Sequence, residues 1–219
     1  MNSLIFFDIN GTIIKRDKRT DIPYERAIDN YLEVENGMEG VDTSARSDKD
    51  VFIEVLEKFG QSFTEEKWRG FLKEYEKQLE KFKSTDVWRE NADAVKFIKK
   101  LSNTDHKLSL ITGELSLGAK YKLGKIGVWK YFPTGGFGED ARVRFDIADI
   151  ALDKAKKLYN EKYDNIFVIG DTTLDIKTAR HLGAKIISIT TGSNSKEELA
   201  SENPDYIIDN FSEIEDLFL

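Results

Sequence analysis

The sequence has no cysteine, no long hydrophobic run and no excess of basic residues, and each absence excludes a class of protein. Without cysteine the chain can form no disulfide framework, no thiolate nucleophile and no cysteine-ligated zinc site. No segment approaches the roughly 18 apolar residues of a membrane-spanning helix, and the N-terminus lacks a basic region ahead of an apolar stretch. We therefore expect a cytoplasmic protein without a membrane partner.

The charge balance argues against a nucleic-acid partner. The 219 residues include 33 basic and 40 acidic side chains, spread without long blocks of one sign, and the formal net charge is −7. A nucleic-acid surface is expected to show a basic stripe, which is missing here. Apolar residues make up 40% of the chain and aromatic residues 11%, which is enough for a hydrophobic core. We expect a folded protein that is a monomer or a homodimer.

The order of the apolar segments predicts an α/β fold with an insertion. Residues 4–7 form a short apolar run that predicts a buried strand, and helical patterning then extends over residues 15–87. After this region, strand and helix patterns alternate, which is typical of a parallel sheet covered by helices on both faces. We therefore predict a Rossmann-like three-layer core from residues 1–15 and 88–219, with an α-helical cap from residues 16–87.

Polar residues follow three of the predicted strands at the point where each strand ends. In an open parallel sheet, ligands bind beyond the carboxyl ends of the strands, so these residues are candidates for one site. Carboxylates at buried strand ends are costly unless they are paired or bind a metal, and oxygen ligands suit Mg²⁺. The candidates are Asp8, Asn10, Thr112, Gly113, Asp171 and Asp175.

The same motifs resemble the signatures of a known enzyme superfamily. The segment DINGT after the first predicted strand, Thr112 after a second and GDTTLD after a third look like the motifs of the haloacid dehalogenase-like hydrolases. The agreement covers nearly the whole chain, including a helical cap directly after the first motif. The stretch GFGEDARVRFDIADIAL is similar to the segment of phosphoglycolate-phosphatase-like members that carries a basic residue. It gives that role to Arg144 in place of the usual lysine, with Arg142 as the alternative.

The resemblance implies a magnesium-dependent phosphatase that acts through an aspartyl-phosphate intermediate. Asp8 would be the nucleophile, which divides one displacement into two easier ones. Thr112 and Arg144 would hold the transferring phosphoryl group by hydrogen bond and charge. The implied Mg²⁺ ligands are Asp8, the backbone carbonyl of Asn10, Asp171 and, mainly through a water molecule, Asp175.

The resemblance also indicates where the rest of the substrate would bind. A cap of this kind closes over the site and excludes water. The stretch MEGVDTSARSDKDVF is similar to the corresponding segment of phosphoglycolate-phosphatase-like relatives, and it makes Arg46 and Ser47 candidate substrate contacts. Gly113, beside the phosphoryl site, is a third candidate. A helical cap over one core suits a small phosphorylated metabolite as substrate.

Asn10 departs from the family pattern in a way that affects activity. Phosphatases of this family carry a second Asp there, which protonates the leaving alkoxide and then deprotonates the attacking water. The amide of Asn10 has no titratable proton, and general acid–base catalysis is worth about 10²- to 10⁴-fold. Metal and phosphate should still bind, because the ligand at this position is the backbone carbonyl. The sequence therefore predicts a slow enzyme.

Three explanations of Asn10 stay open. It is a substitution introduced to trap a ligand, or a native residue of a protein that binds phosphate esters or hydrolyses them slowly, or a residue that deamidates to Asp. The third explanation arises because Asn followed by Gly is prone to succinimide formation. The alternatives to a phosphatase are a non-catalytic phosphometabolite-binding protein and a phosphomutase, which would need the same second Asp.

Overall fold

One parallel sheet forms the centre of the protein, whose computed structural model describes residues 2–43 and 46–219. The strands found in these residues are β1 (Ser3–Phe7), β2 (Lys107–Ile111), β3 (Gly135–Gly136), β4 (Asn165–Gly170), β5 (Lys185–Ile189) and β6 (Tyr206–Ile208). Their order across the sheet is β3-β2-β1-β4-β5-β6. In chain order, β1, β2 and β3 therefore form one half of the sheet, and β4, β5 and β6 form the other half.

β1 lies where the strand order reverses, with β2 on one side and β4 on the other. All of its side chains are buried, as expected for a strand covered on both faces. Ile5 and Phe7 pack into the hydrophobic cluster on one face, whereas Leu4 and Phe6 pack into the cluster on the other, because side chains alternate along a strand. The carboxyl end of β1 therefore opens at a topological switch point, where such sheets bind ligands.

The helices that follow β1 form a cap with a hydrophobic cluster of its own. These helices are α1 (Ile22–Leu32), α2 (Asp48–Lys58) and α3 (Glu65–Phe82). The rings of Phe52 in α2 and Phe71 in α3 stack with centroids 4.4 Å apart. Aromatic pairs of this kind contribute about 0.5–1.5 kcal/mol beyond the burial of their surface. The cap is therefore stabilised by packing between its own helices.

The remaining helices cover the two faces of the sheet. One face packs against α4 (Ala92–Leu101) and α5 (Ser116–Lys125). The other face packs against α6 (Arg144–Tyr159) and α7 (Thr173–His181), and the short helix α8 (Lys196–Ser201) joins that layer. Helix, sheet and helix thus form three layers. The predicted fold class is confirmed.

Two segments differ in detail from the sequence-based prediction. The glycine-rich stretch that predicts a short strand contributes just Gly135 and Gly136 to pairing with β2, because glycine has a low propensity for strands. The C-terminal segment that predicts a helix is a 3₁₀-helix over Phe211–Leu217, whose buried residues Phe211 and Ile214 lie three positions apart and so on one side of that helix type. Across the described ranges, no helix is long and apolar enough to cross a membrane.

Candidate active site

A cavity of about 300 Å³ lies between the cap and the carboxyl ends of β1, β2 and β4. Its walls include side chains from all three cap helices and from the segments that follow β1, β2 and β4. The sequence-predicted site residues that line it are Asp8, Asn10, Arg46, Thr112, Gly113, Arg144, Asp171 and Asp175. The fold therefore brings the motif residues, which are distant in sequence, to one place.

Asp8 and Arg144 are in direct contact at the sheet end of the cavity. Asp8 directly follows β1, and its backbone N–H donates a 2.9 Å hydrogen bond to a carbonyl of β4. Arg144 is the first residue of α6, and its Nη2 lies 3.0 Å from Asp8 Oδ1 and 2.8 Å from Asp175 Oδ1. Arg142 instead pairs with Asp50, and its side chain is largely exposed. Of the two arginines, Arg144 is therefore the one at the carboxylates.

Asp171 is held by hydrogen bonds from two loops. Its Oδ1 accepts a 3.3 Å bond from the Thr12 hydroxyl, and its Oδ2 accepts a 2.6 Å bond from the Ser193 N–H. Gly11 has φ = +96°, and a β-carbon on it would lie 2.3 Å from Asp171 Oδ2. Glycine is the residue that tolerates both this backbone conformation and this close approach. The glycine of the DINGT motif therefore allows β1 and β4 to present their carboxylates side by side.

Asp175 is oriented by the N-terminus of its own helix. It forms a capping box with Thr172, whose Oγ1 accepts a 3.2 Å bond from the Asp175 N–H. In return, Asp175 Oδ2 accepts a 3.1 Å bond from the Thr172 N–H. The other oxygen, Oδ1, contacts Arg144. Both carboxylate oxygens of Asp175 therefore have partners, and the side chain helps to position Arg144.

The carboxylates Asp8 and Asp175 share the positive charge of Arg144, and Asp171 adds a third carboxylate beside them. Burial, and after it the charge of Asp175, raises the pKa of Asp8 well above its ordinary value, although Arg144 acts in the opposite direction. Burial and the charge of Asp175 also raise the pKa of Asp171 to about 6. Negative charge is thus in excess at this point, and a divalent cation would relieve the excess.

The ligands available here fit Mg²⁺. This ion prefers oxygen ligands and commonly takes one or two carboxylates together with waters and a substrate phosphate. Asp8, Asp171 and the backbone carbonyl of Asn10 offer such oxygens. Considering the described residues alone, no group of three or more His, Cys, Asp or Glu side chains is arranged to hold a metal ion. Backbone, water and substrate oxygens would therefore complete the coordination.

The side chain of Asn10 is held at both ends by buried charged residues. Its Oδ1 accepts a 3.2 Å bond from Lys122 Nζ, and its Nδ2 donates a 3.2 Å bond to Glu114 Oε2. Lys122 and Glu114 also pair with each other at 2.7 Å, with side-chain exposures of 3% and 6%. Because an ammonium donates and a carboxylate accepts, these partners fix which end of the amide faces which residue. The surroundings of Asn10 thus match an amide.

Thr112 and Gly113 directly follow β2, beneath the cap. Thr112 is buried, and its hydroxyl accepts a 3.2 Å bond from the Glu114 N–H. The carbonyl of Gly113 accepts a 2.8 Å bond from the N–H of Asp48. A β-carbon on Gly113 would lie 2.4 Å from the carbonyl oxygen of Arg46. Cap and core backbones therefore touch at this strand end.

The cap candidates Arg46 and Ser47 already have partners within the cap. The guanidinium of Arg46 pairs with Asp50 at 2.6 Å and also with Glu54. Ser47 is buried, and its Oγ accepts a 3.2 Å bond from the Asp50 N–H as the N-cap of α2. Arg46 lines the cavity, whereas Ser47 does not.

Several residues at or beside the cavity have no motif in the sequence. Lys122 lies on the buried face of α5, whose residues recur three and four positions apart. A lysine at this spacing among apolar residues is the sequence signal that could have identified Lys122 as a buried residue. Glu114 comes two positions after a strand-end motif, which is a weaker signal. The cap residues among them include Tyr24, Asp48 and Tyr75.

The family of the chain follows from a comparison with family models. Residues 5–180 match the model described as haloacid dehalogenase-like hydrolase, and residues 148–214 match a related hydrolase-like model. The first match spans more than half of the sequence, so the chain belongs to the haloacid dehalogenase-like hydrolase family. The predicted family and the predicted hydrolase class are confirmed.

Individual relatives are similar over much of the chain. A protein of Caldanaerobacter subterraneus subsp. tengcongensis, provisionally named pyrophosphatase PpaX, is 26% identical over 205 residues, which cover 94% of this chain and 89% of that protein. Phosphoglycolate phosphatase of Vibrio parahaemolyticus is 26% identical over 117 residues, covering 53% and 51% of the two chains. A solved structure of a hydrolase from Pseudomonas syringae has a TM-score of 0.69 at 18% identity, covering 98% and 96%. This last likeness shows the fold.

Proposed function

We propose that the protein is a magnesium-dependent phosphatase of small phosphomonoesters, with a slow turnover set by Asn10. The observation that carries the proposal is the contact between Asp8 and Arg144 inside the cavity, 3.0 Å between Oδ1 and Nη2. The contact supports the proposal, because a carboxylate that would act as the nucleophile lies beside a guanidinium that would neutralise phosphoryl oxygens. The names of the relatives, a phosphatase and a pyrophosphatase, support phosphoryl transfer to water.

In the proposed reaction, the carboxylate of Asp8 attacks the phosphorus of the bound ester. A bond forms between an Asp8 oxygen and phosphorus, and the bond between phosphorus and the alcohol oxygen breaks with its electron pair on the alkoxide. Water then attacks the phosphorus of the aspartyl-phosphate, which releases inorganic phosphate and restores Asp8. Arg144 and Thr112 would hold the phosphoryl oxygens during both displacements.

Asp8, Asp171 and the backbone carbonyl of Asn10 would hold Mg²⁺, and Asp175 would support the site through a water molecule. When bound, Mg²⁺ supplies positive charge opposite the phosphoryl oxygens. The excess of carboxylates over arginine in the cavity supports this part of the proposal.

Asn10 would limit the rate because it cannot transfer a proton. The leaving alkoxide must take its proton from water, and the water that attacks the intermediate has no base at position 10. Loss of general acid–base catalysis costs about 10²- to 10⁴-fold. Substrate binding would be less affected than the chemical step.

The test is hydrolysis of p-nitrophenyl phosphate by the chain as given and by Asn10→Asp, each with Mg²⁺ and with EDTA. We expect slow, magnesium-dependent release of nitrophenolate by the first and a faster release by the second. Asp8→Asn should abolish activity in both backgrounds. Asp146→Asn, the same change at an exposed position of α6, is the matched control and should have no effect. Absence of hydrolysis by both chains on a broad panel of phosphate esters would contradict the proposal.

The second candidate is a non-catalytic phosphometabolite-binding protein. It is favoured by the hydrogen bonds between the Asn10 amide and the side chains of Lys122 and Glu114. These partners suit an asparagine, as expected if Asn10 is the native residue of a protein that does not need an acid–base group there. The same assay separates the two candidates. A binding protein would bind phosphate esters with Mg²⁺ and hydrolyse none of them.

A further inference from the structure

The cap side of the cavity carries unbalanced negative charge. Asp21, Glu25 and Asp48 line it from the cap, and Glu114 lines it from the core. Glu114 is balanced by Lys122, with which it forms a 2.7 Å ion pair. Within residues 2–43 and 46–219, no lysine or arginine forms an ion pair with any of the three cap carboxylates.

The arginine that lines this cavity from the cap, Arg46, already forms ion pairs with other cap residues. The guanidinium of Arg46 lies 2.6 Å from Asp50 and also contacts Glu54, and neither of these carboxylates lines the cavity. Its Nη1 further donates to the carbonyl of Asp42 at 3.0 Å. A second anionic group on the substrate would therefore have to compete with two carboxylates for this guanidinium.

A buried hydroxyl provides an independent sign of a ligand here. Tyr75 is 3% exposed and lines the cavity, and its hydroxyl donates no hydrogen bond to any residue in the described part of the chain. A β-carbon on Gly118 would lie 2.4 Å from both Tyr75 Oη and Glu114 Oε1, so the two oxygens approach the same small space. By contrast, the hydroxyl of Tyr24 is used, since it donates to the carbonyl of Asp48. Tyr75 thus keeps a polar group available to a molecule in the cavity.

We infer that the alcohol part of the substrate carries hydrogen-bond donors, as hydroxyl or ammonium groups, and no second negative charge. The inference rests on the proposed phosphatase function and names the class of ester on which it acts. Carboxylates accept hydrogen bonds from hydroxyl and ammonium groups, most strongly from a charged donor. A carboxylate on the substrate would instead face Asp48, whose pKa is already held well above its ordinary value by burial and by the charge of Glu114, together with the exposed carboxylates of Asp21 and Glu25. Further negative charge at this point is therefore disfavoured.

Three esters with the same two-carbon skeleton test the inference: 2-phosphoglycolate, 2-hydroxyethyl phosphate and O-phosphoethanolamine. Their far ends are anionic, neutral and cationic. Binding is measured by calorimetry with Mg²⁺ on Asp8→Asn, which cannot form the aspartyl-phosphate, and kcat/KM is measured on the unaltered chain. We expect the hydroxyl and ammonium esters to bind at least about tenfold more tightly than phosphoglycolate, and the better of the two identifies the preferred donor.

A charge variant links the preference to the cap carboxylates. The double change Asp21→Asn with Asp48→Asn should reduce the preference for O-phosphoethanolamine over phosphoglycolate by about tenfold. Asn at position 48 can still accept the 2.9 Å bond from the Leu115 N–H that Asp48 Oδ2 accepts. Glu57→Gln, at an exposed position of α2 outside the cavity, is the matched control and should leave the preference unchanged.

The outcomes separate this inference from the proposed function. If the esters bind in the expected order but none is hydrolysed, the phosphatase proposal fails and the inference holds. If phosphoglycolate binds as tightly as the other two, or if neither donor-bearing ester binds at millimolar concentration, the inference is overturned. An unchanged preference in the double variant would overturn it as well.

Discussion

Asn10 is enclosed by two buried charges that accommodate an amide better than a carboxylate. Asn10→Asp would place a new carboxylate about where Nδ2 now lies, 3.2 Å from Glu114 Oε2, while Lys122 stays on the other side. Like charges this close disfavour ionisation of one of them, so the single change should restore less than the full acid–base contribution. With Glu114→Gln added, the new carboxylate would pair with Lys122 alone. We predict that Asn10→Asp raises kcat at least about tenfold more in the Glu114→Gln background.

The measurement for this prediction is a double-mutant cycle with p-nitrophenyl phosphate on four chains: unaltered, each single variant and the double variant. Circular dichroism of each chain checks that it is folded. Additive effects on kcat would contradict the prediction, because they would show that Glu114 does not act on the group at position 10.

Most site residues that could be predicted from the sequence lie at strand ends, whereas Arg144, at the start of α6, is predicted from the resemblance alone. Asp8 and Asp171 follow buried apolar runs, and a parallel sheet gathers such positions at one edge whatever their separation in sequence. The pairing of Asn10 with Lys122 could not be predicted in this way. The spacing of the buried face of α5 marks Lys122 as a buried lysine, but its partner at position 10 follows from the packing of α5 on the sheet. The partners of Arg46 depend likewise on the tertiary path of the cap.

Helix α5 carries two glycines in different surroundings, and this difference gives a prediction at the level of the element. A β-carbon on Gly118 would lie 2.4 Å from Tyr75 Oη and Glu114 Oε1, whereas one on Gly124 would meet nothing within 4 Å. Gly124→Ala should therefore raise the free energy of unfolding by about 0.4–1 kcal/mol through reduced chain entropy. Gly118→Ala should lower it by about 1–3 kcal/mol through overpacking, and it should weaken substrate binding.

Urea unfolding of the two variants, followed by circular dichroism, measures both changes on the same helix. Gly124→Ala is the matched control, because it makes the same substitution in the same element. Equal effects of the two substitutions would show that Tyr75 and Glu114 move aside without cost. That result would remove the evidence that these side chains are fixed at the cavity wall.

Element boundaries could be predicted where the local sequence carries its own signal. The runs KLSLI and NIFVIG predict strands, and β2 and β4 occupy those residues. Thr64 is of a residue type that favours helix N-caps, and its hydroxyl accepts a bond from the Lys67 N–H at the start of α3. The edge strand β3 could not be predicted to the residue, because its pairing depends on β2 rather than on the preferences of Gly135 and Gly136.

At the scale of the whole molecule, the cavity lies at the interface between the cap, which has its own hydrophobic core, and the sheet domain. The cap helices bury one hydrophobic cluster, the two faces of the sheet bury one cluster each, and the charged residues lie where the cap meets the strand ends. Polar groups at this interface can be removed from water without disrupting the hydrophobic core of the cap or of the sheet domain. The arrangement costs stability, because carboxylates brought together there repel each other in the absence of a cation.

This cost predicts how stability depends on pH without metal. The pKa of Asp171 is raised from 3.8 to about 6 by burial and by Asp175. Between these values the folded protein binds more protons than the unfolded chain, so the free energy of unfolding falls as the pH rises through this window. The stability from the protonated carboxyl group is fully present below about pH 4 and is lost above about pH 6. A shift of this size corresponds to on the order of 3 kcal/mol.

Asp171→Asn isolates the contribution of this group, since the other titrating residues are common to both chains. In EDTA, the variant should gain stability relative to the unaltered chain as the pH rises from 4 to 7, with little difference at pH 4. Mg²⁺ at pH 7 should stabilise the unaltered chain and have much less effect on the variant, because ligand binding to the folded state adds stability by mass action. Thermal unfolding at each pH measures both effects. If the difference in stability between the two chains does not change with pH in EDTA, the pKa of Asp171 is not raised in the folded protein, and the prediction is wrong.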